Sequence, residues 1–220
     1  TRGARAALAV DLNDSWTLTA ALMMQDVESN GVWDHDPTVG DLKVMRLMPD
    51  WNDDEWTQTS LKLEGEVFGG TLTATYGDLE RDTETYADYS LYSDYYVSYG
   101  YVEPYYNCYV SYTGFCGDPR EQYTNTTEID RTTYEIRYVS DQEARLRYMV
   151  GYYGVEVDTA SDSDWHVMGL NGTPLAVDAP DIYWTTGFVR AYDDTAYFGE
   201  VSFDVTEALT VAASARKFDY

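Results

Sequence analysis

The chain carries its clearest structural signal in residues 134–152, which read YEIRYVSDQEARLRYMVGY. Apolar and aromatic side chains occupy every second position on both sides of a polar turn at 140–144. Side chains that alternate in this way share one face of a β-strand, and two such runs around a short turn predict an antiparallel hairpin. The opposite face carries the charged residues Glu135, Arg137, Arg145 and Arg147.

The same pattern occurs three more times along the chain, and helical spacing is nowhere sustained. The alternation predicts strands near 3–11, 16–25, 58–67, 71–79, 133–139, 145–156, 195–204 and 209–219. Short polar turns join the members of each pair. The sequence therefore predicts an all-β, antiparallel, up-and-down fold of about eight strands in four hairpins, all within one domain that spans residues 1–220.

Long connections, predicted at 26–57, 80–132 and 157–194, separate the hairpins. They contain 26 acidic and 6 basic residues, so they carry about −20 of the formal charge of −25. Short turns at one end of a sheet and long loops at the other are typical of a transmembrane β-barrel, with periplasmic turns and extracellular loops respectively. Both chain ends would then lie at the long-loop end, which predicts an internal segment of a larger barrel.

The overall composition excludes several other classes of protein. The chain has 14 Lys and Arg against 39 Asp and Glu, which makes nucleic acid an unsuitable partner because phosphate binding requires a basic surface. No run of about 18 apolar residues occurs, so a membrane-spanning helix is not predicted. An apolar content of 44% with 15% aromatic residues is too high for a disordered chain.

Periodicity alone leaves the environment of the two faces open. The apolar face could contact lipid while the charged face lines a wet lumen, or the apolar face could cover a soluble core. The second possibility corresponds to a secreted acidic β-domain that binds carbohydrate through a tyrosine-rich loop. A passive porin-type barrel is a further alternative.

A tyrosine-rich segment provides the candidate substrate-binding residues. Eleven tyrosines lie between Tyr86 and Tyr112. A phenol ring combines a flat apolar face with a polar tip, which suits stacking on sugars or on aromatic chelators. The candidates are Tyr95, Tyr96, Tyr99, Tyr101, Tyr105 and Tyr106. The alternative is that these rings pack the loop against itself and its neighbours.

Cys108 and Cys116, the only two cysteines, lie in the same segment. Their proximity favours one short-loop disulfide in an oxidising compartment over two free thiols. No nearby histidine could complete a zinc site, and the acidic clusters lack the spacing of a calcium loop. We therefore interpret the acidic clusters as a rim that is solvated or faces lipopolysaccharide through divalent ions. No catalytic motif is present, so we expect no catalytic residue, metal ligand or cofactor.

Three parts of the sequence resemble the barrel of TonB-dependent outer-membrane receptors: residues 1–8 followed by 18–20, the hairpin from 134–137 to 146–153, and residues 196–206 with 209–213. As a pattern of strands and turns the resemblance covers the whole chain. It implies a 22-stranded barrel plugged by a separate N-terminal domain in the outer membrane of a Gram-negative bacterium. It further implies energy-coupled uptake of a scarce nutrient such as a ferric siderophore, cobalamin or a glycan. Neither a plug domain nor a TonB box is recognisable here, so the resemblance is to a barrel fragment, and contact with the TonB complex would run through the plug domain.

Overall fold

Eight β-strands form one antiparallel sheet in the computed structural model, which describes residues 1–31, 35–90, 120–168 and 181–220. Each strand pairs with the next one along the chain, so the topology is up-and-down. The strands are β1 (Arg2–Asn13), β2 (Trp16–Asn30), β3 (Trp51–Val67), β4 (Gly70–Asp88), β5 (Glu121–Val139), β6 (Leu146–Val167), β7 (Ile182–Thr206) and β8 (Leu209–Asp219). This arrangement confirms the predicted fold of four hairpins. Among the described residues, no helix has the length and apolar character needed to span a membrane.

The hairpin of β3 and β4 has a two-residue turn that is built from left-handed backbone. Phe68 and Gly69 have φ angles of 51° and 78°. A turn with positive φ at both central residues matches the twist of the two strands that it joins. Gly69 adopts this conformation without steric cost because it has no Cβ.

The strands extend much further toward the long connections than the sequence predicts. In the structure β5 begins at Glu121 and β6 ends at Val167, whereas the alternation predicted boundaries at 133 and 156. Much of the predicted loops 26–57, 80–132 and 157–194 is therefore strand. The extensions escaped prediction because neither of their faces is apolar, while the backbone hydrogen bonds that propagate a sheet do not depend on hydrophobic contrast.

The register places the apolar side chains of successive strands on one continuous face. Leu18 of β2 is opposite Leu63 of β3, and the row continues through Ala74, Ile136, Tyr152 and Tyr197. Directly paired residues lie on the same face of a sheet, and β2 to β6 pair without a register shift. We call this face, which includes Leu61, Ile136 and Val150, the outer face. The opposite face, which includes Ser60, Arg137 and Met149, is the inner face.

Burial distinguishes the two faces of the sheet. On the inner face Thr73 is 4% exposed and Ala196 is 2% exposed. On the outer face Leu61 and Val150 are 49% and 53% exposed, although both are apolar. Side chains crowd on the concave side of a curved single layer and spread apart on its convex side, so these values indicate that the inner face is concave.

Two zones can be distinguished along the strands. The turn half lies next to the short turns and corresponds to Leu146–Val155 of β6, while the loop half corresponds to Glu156–Val167. In the turn half the outer face carries clustered tyrosine rings, with centroids 4.9 Å apart for Tyr152 and Tyr197 and 6.0 Å apart for Tyr134 and Tyr152. Tyrosine rings at this position suit the boundary between lipid and water.

From β2 to β7 the charged side chains of the turn half lie on the inner face, as the alternation predicts, whereas Lys217 and Asp219 of β8 occupy outer-face positions. Arg147 donates two hydrogen bonds of 2.6 and 2.7 Å to the carboxylate of Asp204, which also accepts one from Thr210. Lys62 lies 3.4 Å from Glu64 on β3. Arg147 therefore connects β6 to β7 next to the short turns, through the two-pronged geometry that strengthens an arginine–carboxylate pair.

Candidate functional site

The tyrosines and cysteines singled out by the sequence lie outside the described residues. They are Tyr95, Tyr96, Tyr99, Tyr101, Tyr105, Tyr106, Cys108 and Cys116, and their roles remain predictions. The structure does describe the residues at the two ends of this segment, Tyr89 and Ser90 after β4 and Glu121 at the start of β5. Glu121 donates its backbone N–H to the Ser90 hydroxyl at 3.0 Å and accepts a backbone hydrogen bond from Tyr89 at 2.9 Å. The tyrosine-rich segment therefore begins and ends at the loop half of β4 and β5.

Acidic side chains of the loop half are concentrated on the outer face, above the apolar band. Every strand from β2 to β7 contributes at least one of them, and the longest uninterrupted cross-strand row, Asp26, Glu55, Asp82 and Glu128, runs from β2 to β5. The set comprises Asp26, Glu28, Asp53, Glu55, Asp78, Glu80, Asp82, Glu84, Asp88, Glu128, Asp130, Glu156, Asp158, Asp162, Asp164 and Asp193. The charge that the sequence assigned to loops therefore belongs largely to strands and points away from the concave side.

Several of these carboxylates lie directly opposite one another. Asp130 of β5 is paired with Glu80 on one side and with Asp158 on the other, and all three side chains are exposed. Like charges in direct cross-strand positions destabilise a sheet. On the inner face, in contrast, Asp54 accepts two hydrogen bonds of 2.8 and 2.6 Å from Arg81.

Removing the charge of Asp130 is therefore expected to stabilise the protein. We expect Asp130→Asn to raise the free energy of unfolding by about 0.5 kcal/mol at low salt, with a smaller gain at high salt because ions screen exposed charges. The same change at Asp54 is expected to lower stability by about 1 kcal/mol, because Arg81 loses its carboxylate partner. Denaturant titrations of the intact protein at two salt concentrations would check both; a loss of stability in Asp130→Asn would contradict the repulsion.

The inner face of the loop half carries a row of uncharged hydrogen-bonding side chains. One cross-strand row runs through six strands, from β2 to β7, and each member has a hydroxyl or amide group. The members, which we call the neutral row, are Ser29, Asn52, Thr85, Asn125, Ser163 and Thr186. The acidic positions of the outer face and the neutral row of the inner face belong to the same strands and differ only in the parity of their positions.

Hydrogen bonds hold the neutral row in a defined geometry. Asn52 Nδ2 donates to Thr85 Oγ1 at 2.7 Å, and Asn125 Nδ2 donates to Ser163 Oγ at 2.9 Å. Asn125 Oδ1 accepts a hydrogen bond of 3.0 Å from Thr127, and the Asn125 amide also reaches Ser161. Side chains fixed by their neighbours lose little conformational entropy when they meet a ligand.

Aromatic side chains border the neutral row on the side of the long connections. The rings of Tyr123 and Trp165 have centroids 4.9 Å apart, and the Tyr123 hydroxyl lies 3.0 Å from Ser163 Oγ. Trp165 is paired in the sheet with Trp184 of β7, which is 59% exposed. This end of the inner face therefore combines flat aromatic surface with neutral polar groups.

The connection between β2 and β3 is attached to the end of β4 by a carboxylate. Asp88 accepts hydrogen bonds from the backbone N–H groups of Leu47, Met48 and Ser90. Burial alone would raise the pKa of Asp88, but hydrogen bonds from Ser90, Leu47 and Met48 outweigh it, and the pKa lies below its ordinary value. The ionised form of Asp88 therefore fixes residues 47–48 beside β4.

The neutral row was missed by the sequence analysis, although a signal for it exists. In Ser161-Asp162-Ser163-Asp164 a small neutral residue alternates with an acid, and the strand period places the two kinds on opposite faces. Apolar alternation was the criterion that defined the strands, so polar alternation was assigned to loops.

Among the described residues, no group of three or more His, Cys, Asp or Glu side chains has the geometry of a metal site.

Comparison with known proteins shows that the fold of this chain is similar to parts of several solved structures. No protein-family model and no curated protein matches the sequence. Among solved structures, the ferric yersiniabactin uptake receptor FyuA from Yersinia pestis matches 99% of this chain with a TM-score of 0.67 and 7% identity. The RagAB peptide transporter matches 97% with a TM-score of 0.57 and 11% identity, and the siderophore receptor PiuA from Acinetobacter baumannii matches 96% with a TM-score of 0.53 and 16% identity.

The match covers only part of each of those proteins. The chain spans 33% of the FyuA chain, 27% of the RagAB chain and 31% of the PiuA chain. The neighbours are TonB-dependent receptors with transport functions. The chain therefore has the fold of a segment of the β-barrel of TonB-dependent receptors, and its length corresponds to about a third of such a protein.

Proposed function

We propose that this chain is part of a TonB-dependent receptor in the outer membrane of a Gram-negative bacterium, where it contributes to energy-coupled uptake of a scarce nutrient. The nutrient class comprises ferric siderophores, cobalamin and glycans. The observation that carries this proposal is the outer face of the turn half, which is apolar and solvent-exposed in register across all eight strands. Such a band suits contact with lipid, since large exposed apolar surfaces are rare on soluble proteins.

In this proposal the two halves of the sheet have different roles. The turn half crosses the bilayer, and the loop half continues into the extracellular space as the wall of a vestibule. The six candidate tyrosines, between Tyr95 and Tyr106, take part in ligand capture, and a disulfide between Cys108 and Cys116 fixes their segment. β1 and β8 each pair on one side only, and further strands of the barrel would cover these edges.

Labelling of neighbouring residues on the two faces would test the membrane orientation. In an intact protein with Cys108→Ser and Cys116→Ser, spin labels would be attached at Leu61→Cys on the outer face or at Ser60→Cys on the inner face. We expect the label at position 61 to collide with oxygen dissolved in lipid. The label at position 60 should collide instead with a water-soluble nickel chelate. Equal exposure of both labels to the nickel chelate would contradict the proposal and favour a soluble domain.

Dependence on energy distinguishes a receptor from a porin-type barrel. The intact gene product, produced in a Gram-negative host, would be supplied with radiolabelled ferric chelates, cobalamin and oligosaccharides. We expect accumulation of one of these compounds to disappear when the host lacks TonB. Accumulation that persists without TonB would contradict the proposal and favour passive diffusion.

A further inference from the structure

We propose that the inner face of the loop half binds a neutral, polyhydroxylated ligand, that is, a carbohydrate, and that Trp184 is the platform on which a sugar ring stacks. The inference rests on the proposed function and names the ligand class of the same receptor. It depends on three features of the described residues: the neutral row, the aromatic residues beside it and the distribution of charge between the two faces.

The neutral row matches the hydrogen-bonding chemistry of sugar hydroxyls. A sugar hydroxyl both donates and accepts, and so do the hydroxyl and amide groups of all six members of the row. The row crosses six strands, which lie about 4.8 Å apart, so it runs for roughly 24 Å along the sheet. A surface of this length accommodates several sugar rings in sequence.

Trp184 provides the apolar counterpart that a carbohydrate requires. Its side chain is 59% exposed and lies on the inner face, opposite Trp165 in the register. Aromatic rings supply large, rigid contact area at low entropic cost, and the C–H faces of sugars pack on them.

The charge distribution disfavours a charged ligand on this surface. In the neutral row and the cross-strand row next to it, which contains Val27, Asp54, Thr83, Thr127, Ser161 and Phe188, the single charged side chain is Asp54. Its carboxylate is already paired with Arg81. Arg190 and Arg131 lie closer to the turn half. An anionic chelate would therefore find no unpaired cation in these two rows, and it would approach a chain of net charge −25.

Binding of defined ligands to the intact receptor would test this inference. The purified receptor in detergent would be titrated calorimetrically with neutral hexasaccharides of glucose, mannose, galactose and xylose, and with a ferric tris-catecholate chelate and cobalamin. We expect at least one hexasaccharide to bind and the two other ligands not to bind. Trp184→Ala is expected to lower the affinity for the hexasaccharide at least tenfold. Thr185→Ala is the matched control, because Thr185 is adjacent on β7 but lies on the outer face. We expect the affinity of this variant for the hexasaccharide to stay within twofold of the original value.

Two results would overturn the inference. The first is binding of the chelate or of cobalamin with no binding of any hexasaccharide. The second is a sugar affinity that Trp184→Ala leaves unchanged. Either result would leave the receptor function intact, because membrane orientation and TonB dependence are measured separately with Leu61→Cys, Ser60→Cys and the uptake assay. Failure of those measurements would instead contradict the receptor function itself.

Discussion

Arginine in place of Val150 is expected to prevent stable insertion of the protein into the outer membrane. Val150 lies on the outer face at the middle of the apolar run of β6, between Tyr148 and Tyr152, and is 53% exposed. If this face contacts lipid, a charged side chain at that depth costs about 2–4 kcal/mol. A loss of this size is a large fraction of the stability of a typical domain.

The matched control is the neighbouring residue on the inner face. Met149→Arg places the same side chain opposite Glu200 of β7, where the two charges can pair. We expect this variant to insert as well as the original protein. The amount of folded protein in isolated outer membranes, together with the free energy of unfolding in phospholipid vesicles, would measure both effects. Equal yields of the two variants would show that the outer face does not contact lipid.

Replacing Gly70 with alanine is expected to lower the free energy of unfolding substantially. A Cβ at this position would lie 2.3 Å from the backbone carbonyl oxygen of Val139 on β5. A backbone atom within a paired strand moves only if the ladder moves, so β4 and β5 would have to separate next to the turn. Overpacking of this kind costs about 3 kcal/mol at the upper end of its usual range.

The adjacent glycine separates steric crowding from backbone conformation. Gly69 has a φ of 78°, but no atom lies within 4 Å of the position that its Cβ would occupy. Asparagine tolerates left-handed backbone, so Gly69→Asn is expected to change stability by less than about 0.5 kcal/mol. Denaturant titration in lipid vesicles would compare the two variants. Similar stability for Gly70→Ala and Gly69→Asn would mean that the close approach of Val139 is relieved without disturbing the sheet.

The apolar alternation predicted the turn half well because there the two faces differ in polarity. Leu146, Tyr148, Val150 and Tyr152 alternate with Arg147 and Met149, and the structure places the two sets on opposite faces of β6. The predicted hairpins and their order are confirmed, and they could be predicted because of this contrast in polarity. The loop half was missed, because Ser161-Asp162-Ser163-Asp164 is polar on both faces and carries no apolar signal for a strand.

The sequence by itself determined the strand class, the hairpin order and the partition of each strand into two faces, because side chains alternate with a fixed period of two. Only the tertiary structure decided which face is concave and which positions of different strands become neighbours. Parity within β5 separates Asn125 from Glu128, but it does not place Asn125 between Thr85 and Ser163, which lie on β4 and β6 and far away in the chain. Cross-strand register makes that choice, and it gathers scattered polar residues into one neutral surface.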